Sequence, residues 1–188
     1  FQLDITERKH SKEAKTQVAD PSISDGSSLI FGKLNFVYPV KLGVQQQFLF
    51  GNKGNKNGVS VSGNFGGGLS LAMLRPYQFH VITDSGYKYS ALVYDESLDA
   101  YTFGDTITRA IVGGPTFGKG WSGLKVTPGL YAKAALRFDY GKYNEMLSAI
   151  EVGVMAEYYS KKLQMMAFQK EYNLFLSAYV SIVFGRRK

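Results

Sequence analysis

The ionisable residues that could carry chemistry are few, and their spacing decides what each can do. Glu151 and Glu157 are the first pair to weigh as a general acid and base. On an extended strand a separation of six residues puts them about 20 Å apart, at about 3.3 Å per residue. Carboxylate pairs that share a bond-breaking step stand about 5–10 Å apart, so this pair does not fit. His10 and His80 are the only histidines. Neither belongs to a Ser-His-Asp pattern or to a cluster of further ligands, so no triad and no metal site is expected. The glycine-rich runs at 51–58 and 66–68 lack the GK[ST] ending and the following helix of a phosphate loop, and read as a turn and a bend. With no cysteine in the chain, thiolate chemistry and disulfide scaffolds are excluded. The expectation is therefore of no catalytic residue, no metal and no cofactor.

What remains is a set of charges in unusual places. Lys133 and Arg137 alternate with apolar residues, as do Glu151 and Glu157, so all four face one side of their segments. They read either as the lining of an ion path or as a salt-bridged plug. The plug is preferred, because a small barrel is just wide enough for side chains to fill and buried charges must be paired.

The elements that must position these charges are long alternations. The run KVTPGLYAKAALRFDY (125–140) places Val126, Pro128, Leu130, Ala132, Ala134, Leu136, Phe138 and Tyr140 on one face and Lys133, Arg137 and Asp139 on the other. That is the period of a strand, at roughly three times the usual length of about 5–6 residues. Residues 33–50 alternate likewise, with Pro39 inside what is read as one long strand. A third alternation is read from Val59 through Phe65, Leu69 and Met73 to Tyr77, Phe79 and Val81, opposite a face of small residues that suggests either a crowded interior or room for a bulky neighbour. Residues 147–159 and 172–184 give two more, and Phe1, Leu3 and Ile5 open a short one. Residues 160–170 read as a medium loop. Lipid outside and a polar lumen inside would satisfy both faces of such strands.

Residues 83–123 break the period and read as a large structured loop, with Tyr87, Tyr89, Tyr94, Tyr101 and Trp121 as its interaction residues. Connections alternate long (11–28), short (51–58), long (83–123), short (141–146) and medium (160–170), as in outer-membrane barrels with periplasmic turns and extracellular loops. The net charge of +7 is dispersed through turns and the terminal GRRK rather than gathered in a stripe, so nucleic-acid binding is not expected.

The expected fold is all-β, an antiparallel up-and-down transmembrane β-barrel forming a single domain over 1–188. About six strands are visible, and the parity of an eight-stranded barrel leads one to expect a further hairpin ahead of Phe1 and both termini in the periplasm. The segments FQLDITERKHSKE, FGKLNFVYPVKLGVQQQFLFGNKGNKNGV, GGGLSLAMLRPY, KVTPGLYAKAALRFDY and SAYVSIVFG together resemble an uncharacterised family of small outer-membrane β-barrel proteins of the Bacteroidota. The resemblance spans nearly the whole chain. It implies the same fold, a bacterial outer-membrane location and a hairpin before the FQ segment, and it brings no catalytic residues.

By subtraction, the expected role is non-enzymatic: an accessory or scaffold subunit of an outer-membrane complex for secretion, barrel assembly or transport. Its expected partners are outer-membrane lipid (lipopolysaccharide or phospholipid) and other envelope proteins. The alternatives are an outer-membrane enzyme acting on lipid or peptide at the extracellular rim, with His10 or His80 as its base, and a soluble lipocalin-like barrel.

Overall fold

The computed structural model describes residues 1–52, 58–96, 98–103, 108–140 and 146–186. In chain order the strands are β1 (Gln2–Ile5), β2 (Lys15–Thr16), β3 (Leu29–Ile30), β4 (Asn35–Gly51), β5 (Ser60–Pro76), β6 (Gln78–Thr83), β7 (Gly86–Ala91), β8 (Val93–Asp95), β9 (Ala100–Thr102), β10 (Thr108–Gly113), β11 (Lys125–Asp139), β12 (Met146–Leu163) and β13 (Tyr172–Arg186), with a 3-10 turn at Trp121–Gly123. The short turns expected near 51–58 and 141–146 fall largely outside the described residues.

One antiparallel sheet of six strands, in the order β1-β4-β5-β11-β12-β13, carries the long alternations. Strands β4 and β5, 17 residues each, run through without division, Pro39 included. The two faces of the sheet follow the alternation: over 126–139 and 172–184 the even positions are exposed, apart from half-buried Ala134, and the odd ones are buried or half-buried. The ladder continues in β12 to Leu163, so the loop expected from Ser160 begins later.

The sheet is strongly curved. Strands β4 and β12 are separated by β5 and β11, which in a flat sheet is three spacings of about 4.8 Å. Yet Lys41 on β4 reaches Glu157 on β12 at 3.1 Å, and Arg8, bridged to Val37 of β4, reaches the same carboxylate at 2.7 Å. Side chains therefore meet across the concave face. Among the described residues β1 pairs only with β4 and β13 only with β12, so the six-stranded sheet is all-antiparallel with two open edges and no closure is seen within it. The structure is an open trough.

Glycine allows the tightest part of that curve. Gly43, Gly68 and Tyr131 lie in register on β4, β5 and β11. A Cβ at Gly68 would run into the Leu42 carbonyl and the Gly43 backbone, and one at Gly43 would stand 2.6 Å from the Tyr131 hydroxyl. The missing side chain of Gly43 on β4 thus leaves room for the Tyr131 hydroxyl. Gly68→Ala, which forces backbone apart, is expected to lower stability by about 1–3 kcal/mol, measured as a lowered denaturation midpoint.

The third alternation does not stay in one sheet. Phe65, Leu69 and Leu71 are exposed on the outer face of β5, whereas Tyr77, Phe79 and Val81 are buried. The chain changes sheets after Pro76. Strand β6 pairs with β7 and β10 in a separate three-stranded sheet, and β8 pairs with β9, so the region read as a loop over 83–123 is a small β-cap. Its core is Leu29, Ile30, Tyr77, Phe79 and Val81, with Phe103 and Ile111 packed against them. Below it Val37, Ala72, Leu74, Tyr159, Leu163 and Met165 form an apolar layer across the cap end of the trough.

Candidate functional site: the buried charge network

The concave face holds two carboxylate nodes. Glu157 is fully buried. Its Oε1 accepts hydrogen bonds from Arg8 Nη2 at 2.7 Å and Lys41 Nζ at 3.1 Å, and its Oε2 accepts one from the Tyr159 hydroxyl at 2.6 Å. Ser70 then donates to Tyr159 across 2.9 Å. Glu151 repeats the plan. Arg137 reaches its Oε2 at 3.0 and 3.2 Å, Asn64 Nδ2 donates to the same oxygen at 2.6 Å, and Tyr179 donates to Oε1 at 2.8 Å. Each node gathers partners from two or more strands, and so fixes the curvature as well as satisfying its charge.

The arrangement sorts the four charges expected to act together. Arg137 and Glu151 are direct register partners and form an ion pair. Glu157 is not held by Lys133 or Arg137; its cations come from Arg8 and Lys41. Lys133 is buried and contacts the Tyr179 ring, with 5.9 Å from Nζ to the centroid. The partners missing from the sequence reading are Arg8, Lys41, Asn64, Tyr159 and Tyr179. Period 2 already puts Lys41 and Asn64 on the inner faces of their strands, and that inward parity was the one available signal.

The interaction residues divide between two sites on the cap. Tyr87 and Tyr89 flank His80, whose ring stacks on Tyr89 at 4.7 Å between centroids. Tyr94 and Tyr101 are register partners in the β8–β9 hairpin, and Tyr94 donates to Asp99. Trp121 instead belongs to the rim. Its ring stacks on Tyr38 at 6.0 Å, and the Arg75 guanidinium lies 4.9 Å from it and 4.4 Å from Phe36. Such cation–π contacts stabilise a cation whose water has been partly stripped away.

The two histidines from which rim chemistry would start each have a hydrogen-bond partner. His80 Nδ1 lies 2.6 Å from Asp25 Oδ2, and Ser27 Oγ donates to Asp25 Oδ1 at 2.5 Å. A serine nucleophile needs its hydroxyl on the histidine; here Ser27 gives its proton to the carboxylate. The His80–Asp25 contact ties β6 to the segment ahead of β3. His10 Nδ1 accepts the Lys12 backbone N–H at 3.2 Å. No group of three or more metal-capable side chains occurs among the described residues.

Partial burial pushes the Asp25 carboxyl up, but hydrogen bonds from Ser27 and His80 outweigh it and hold the group below its usual range. A depressed carboxylate stabilises the fold above its unfolded value, about 3.9, and loses that contribution as pH falls below it. Cap opening, followed by limited proteolysis, is therefore expected to rise below about pH 4. In Asp25→Asn the cap is expected to open more readily at neutral pH, and the acid step should be smaller.

Comparison of the chain with protein-family models, curated proteins and solved structures finds no match.

Proposed function

We propose that the chain is the larger part of an eight-stranded transmembrane β-barrel of a bacterial outer membrane, of the Bacteroidota type that its segments resemble. In this reading it serves, without catalysis, as a scaffold subunit of an envelope complex. The observation that carries the reading is the inversion of the sheet's two faces. Large apolar side chains are exposed on the convex side of every long strand: Leu42, Val44, Leu69, Leu130, Val152, Val154, Leu174, Val180 and Ile182, with Leu176 at 77%. The concave face holds the charges. Patches on water-soluble monomers rarely exceed a few hundred Å², and a lipid face with a polar interior is the arrangement of transmembrane barrels. Ala132, Ala134, Val154, Ala156, Leu176 and Ala178 also line a shallow apolar recess of about 580 Å³, suited to acyl chains.

Direction supplies the strand count. Each neighbour in the sheet is antiparallel, so β1 and β13 at its two edges run in opposite senses. An even number of strands is then needed between them, and one hairpin makes eight, the smallest common size. Residues 44–51 of β4 have no neighbour on the β1 side among the described residues. In this reading the short turns are periplasmic and the cap is extracellular, with its tyrosines available to partner proteins.

The test is isolation of the full-length tagged protein from native membranes in mild detergent, with mass spectrometry of what co-migrates. A stoichiometric set of envelope proteins is expected. A protein that stays in solution without detergent, or a monomer with lipid- or peptide-modifying activity, would overturn the scaffold reading.

A further inference from the structure

We propose that the cap carries a saccharide-binding site, a cleft that seats one neutral sugar ring between the β8–β9 hairpin and the rim of the large sheet. The site uses only residues of the cap and the rim, so it stands independently of what surrounds the convex face. The cleft encloses about 190 Å³, below the roughly 300–1,000 Å³ of pockets for larger ligands. It is lined by Tyr94 and Tyr101 of the hairpin, by Asn35, Pro76 and Lys125 at the ends of β4, β5 and β11, and by Gln164.

An uncovered aromatic row leads away from the cleft. The Tyr94 and Tyr101 rings meet at 5.3 Å between centroids, Tyr101 meets Phe168 at 5.7 Å, and Phe168 stacks on Phe31 at 6.1 Å. Phe31 and Phe168 are 66% and 65% exposed, yet Phe168 is held in place. The Ala167 N–H donates to the Gly32 carbonyl at 2.7 Å, and a Cβ at Gly32 would stand 3.1 Å from the Phe168 ring. A surface fixed in advance loses little freedom when a ligand arrives. The negative face of an aromatic ring attracts the slightly positive C–H hydrogens of a sugar's flat side. The polar lining decides the class of ligand. Among the described residues the Lys125 ammonium has no carboxylate within salt-bridge distance, and the Gln164 side-chain amide has no hydrogen-bond partner. An apolar side chain of a partner protein seated here would strip water from both and replace none of it. A sugar ring combines an apolar face with hydroxyls that donate and accept, which suits an amide that does both and an ammonium that donates. Asp99 accepts from Tyr94, and Glu171 lies within electrostatic reach of Tyr101. These carboxylates offset Lys125, so the surroundings favour a neutral sugar over an acidic one.

The test is an array of neutral and acidic oligosaccharides probed with the folded full-length protein in detergent, followed by titration calorimetry with the sugar that binds best. Binding of neutral glycans is expected. Tyr101→Ala should weaken it about tenfold or more, the effect of losing a central aromatic contact, and Gln164→Ala about threefold to tenfold. Tyr87→Ala, beside His80, should leave it unchanged. Limited proteolysis of each variant separates a lost contact from an opened cap. If Tyr101→Ala opens the cap, Gln164→Ala decides alone, because that side chain is exposed. The proposal is overturned by no binding to any glycan, by a preference for acidic glycans, or by binding that Gln164→Ala leaves at full strength. Release of a co-purifying envelope protein by Gln164→Ala would also overturn it, by showing the surface to be a protein contact.

Discussion

Replacing Glu157 with Gln is expected to lower the free energy of unfolding by about 3–5 kcal/mol, the cost of leaving a buried ion pair without one partner. The size follows from how much converges on this carboxylate. Arg8 and Lys41 both lose their counter-charge, and Lys41, at 1% exposure, has no water to turn to. Tyr159 keeps only a neutral acceptor for its hydroxyl. Tyr159→Phe should cost far less, about 1 kcal/mol, because it removes a donor and leaves the charges paired. The triple change Arg8→Met, Lys41→Met, Glu157→Leu should recover most of the loss, since apolar replacement of a whole buried ionic group is often neutral or better. Denaturant titration of the folded protein reads all three, and a loss below about 1 kcal/mol for Glu157→Gln would show the node to be solvated.

Val154→Arg is expected to give the second large effect, and its size depends on what surrounds the molecule. Val154 is in the middle of β12, in register with Ala134 and Ala178, and is exposed on the convex face. At the midplane of a bilayer an outward arginine costs about 2–4 kcal/mol. In water, an exposed position of this kind tolerates substitution within about 0.5 kcal/mol. Folding titrations into phospholipid vesicles therefore measure where the convex face resides. A near-zero change in vesicles would remove the membrane reading while leaving the fold untouched.

The strands were legible because period 2 is a local property. Val126 to Phe138 on one face and Lys133 to Asp139 on the other need only the sequence of β11, and the structure keeps both faces as read. The error at Tyr77, Phe79 and Val81 has the same origin. Alternation registers that a residue faces something apolar and not whether that is the exterior of one sheet or the core of another. The chain passes from the first to the second at Pro76 without losing step. The charge network was only half legible, since Arg137 and Glu151 are neighbours across one ladder. Arg8 and Lys41 meet Glu157 from β4 and the segment before it, across intervening strands. That proximity comes from sheet curvature, a sum over many residues that no spacing encodes.

The greater part of the cap, between Pro76 and Lys125, begins and ends at one spot. The chain leaves the large sheet at Pro76 and returns at Lys125, and Lys125 is already paired with Leu74 on the strand it left. Everything between is an excursion whose two ends are adjacent, so its removal leaves two ladder neighbours that a tight turn could join without shifting their register. Descendants of such a gene can lengthen, shorten or exchange what the excursion carries while the frame that holds it goes on folding by its own rules. Sequence drift should then run fast above Pro76 and slowly around Glu157, which makes the protein two evolutionary clocks on one polypeptide.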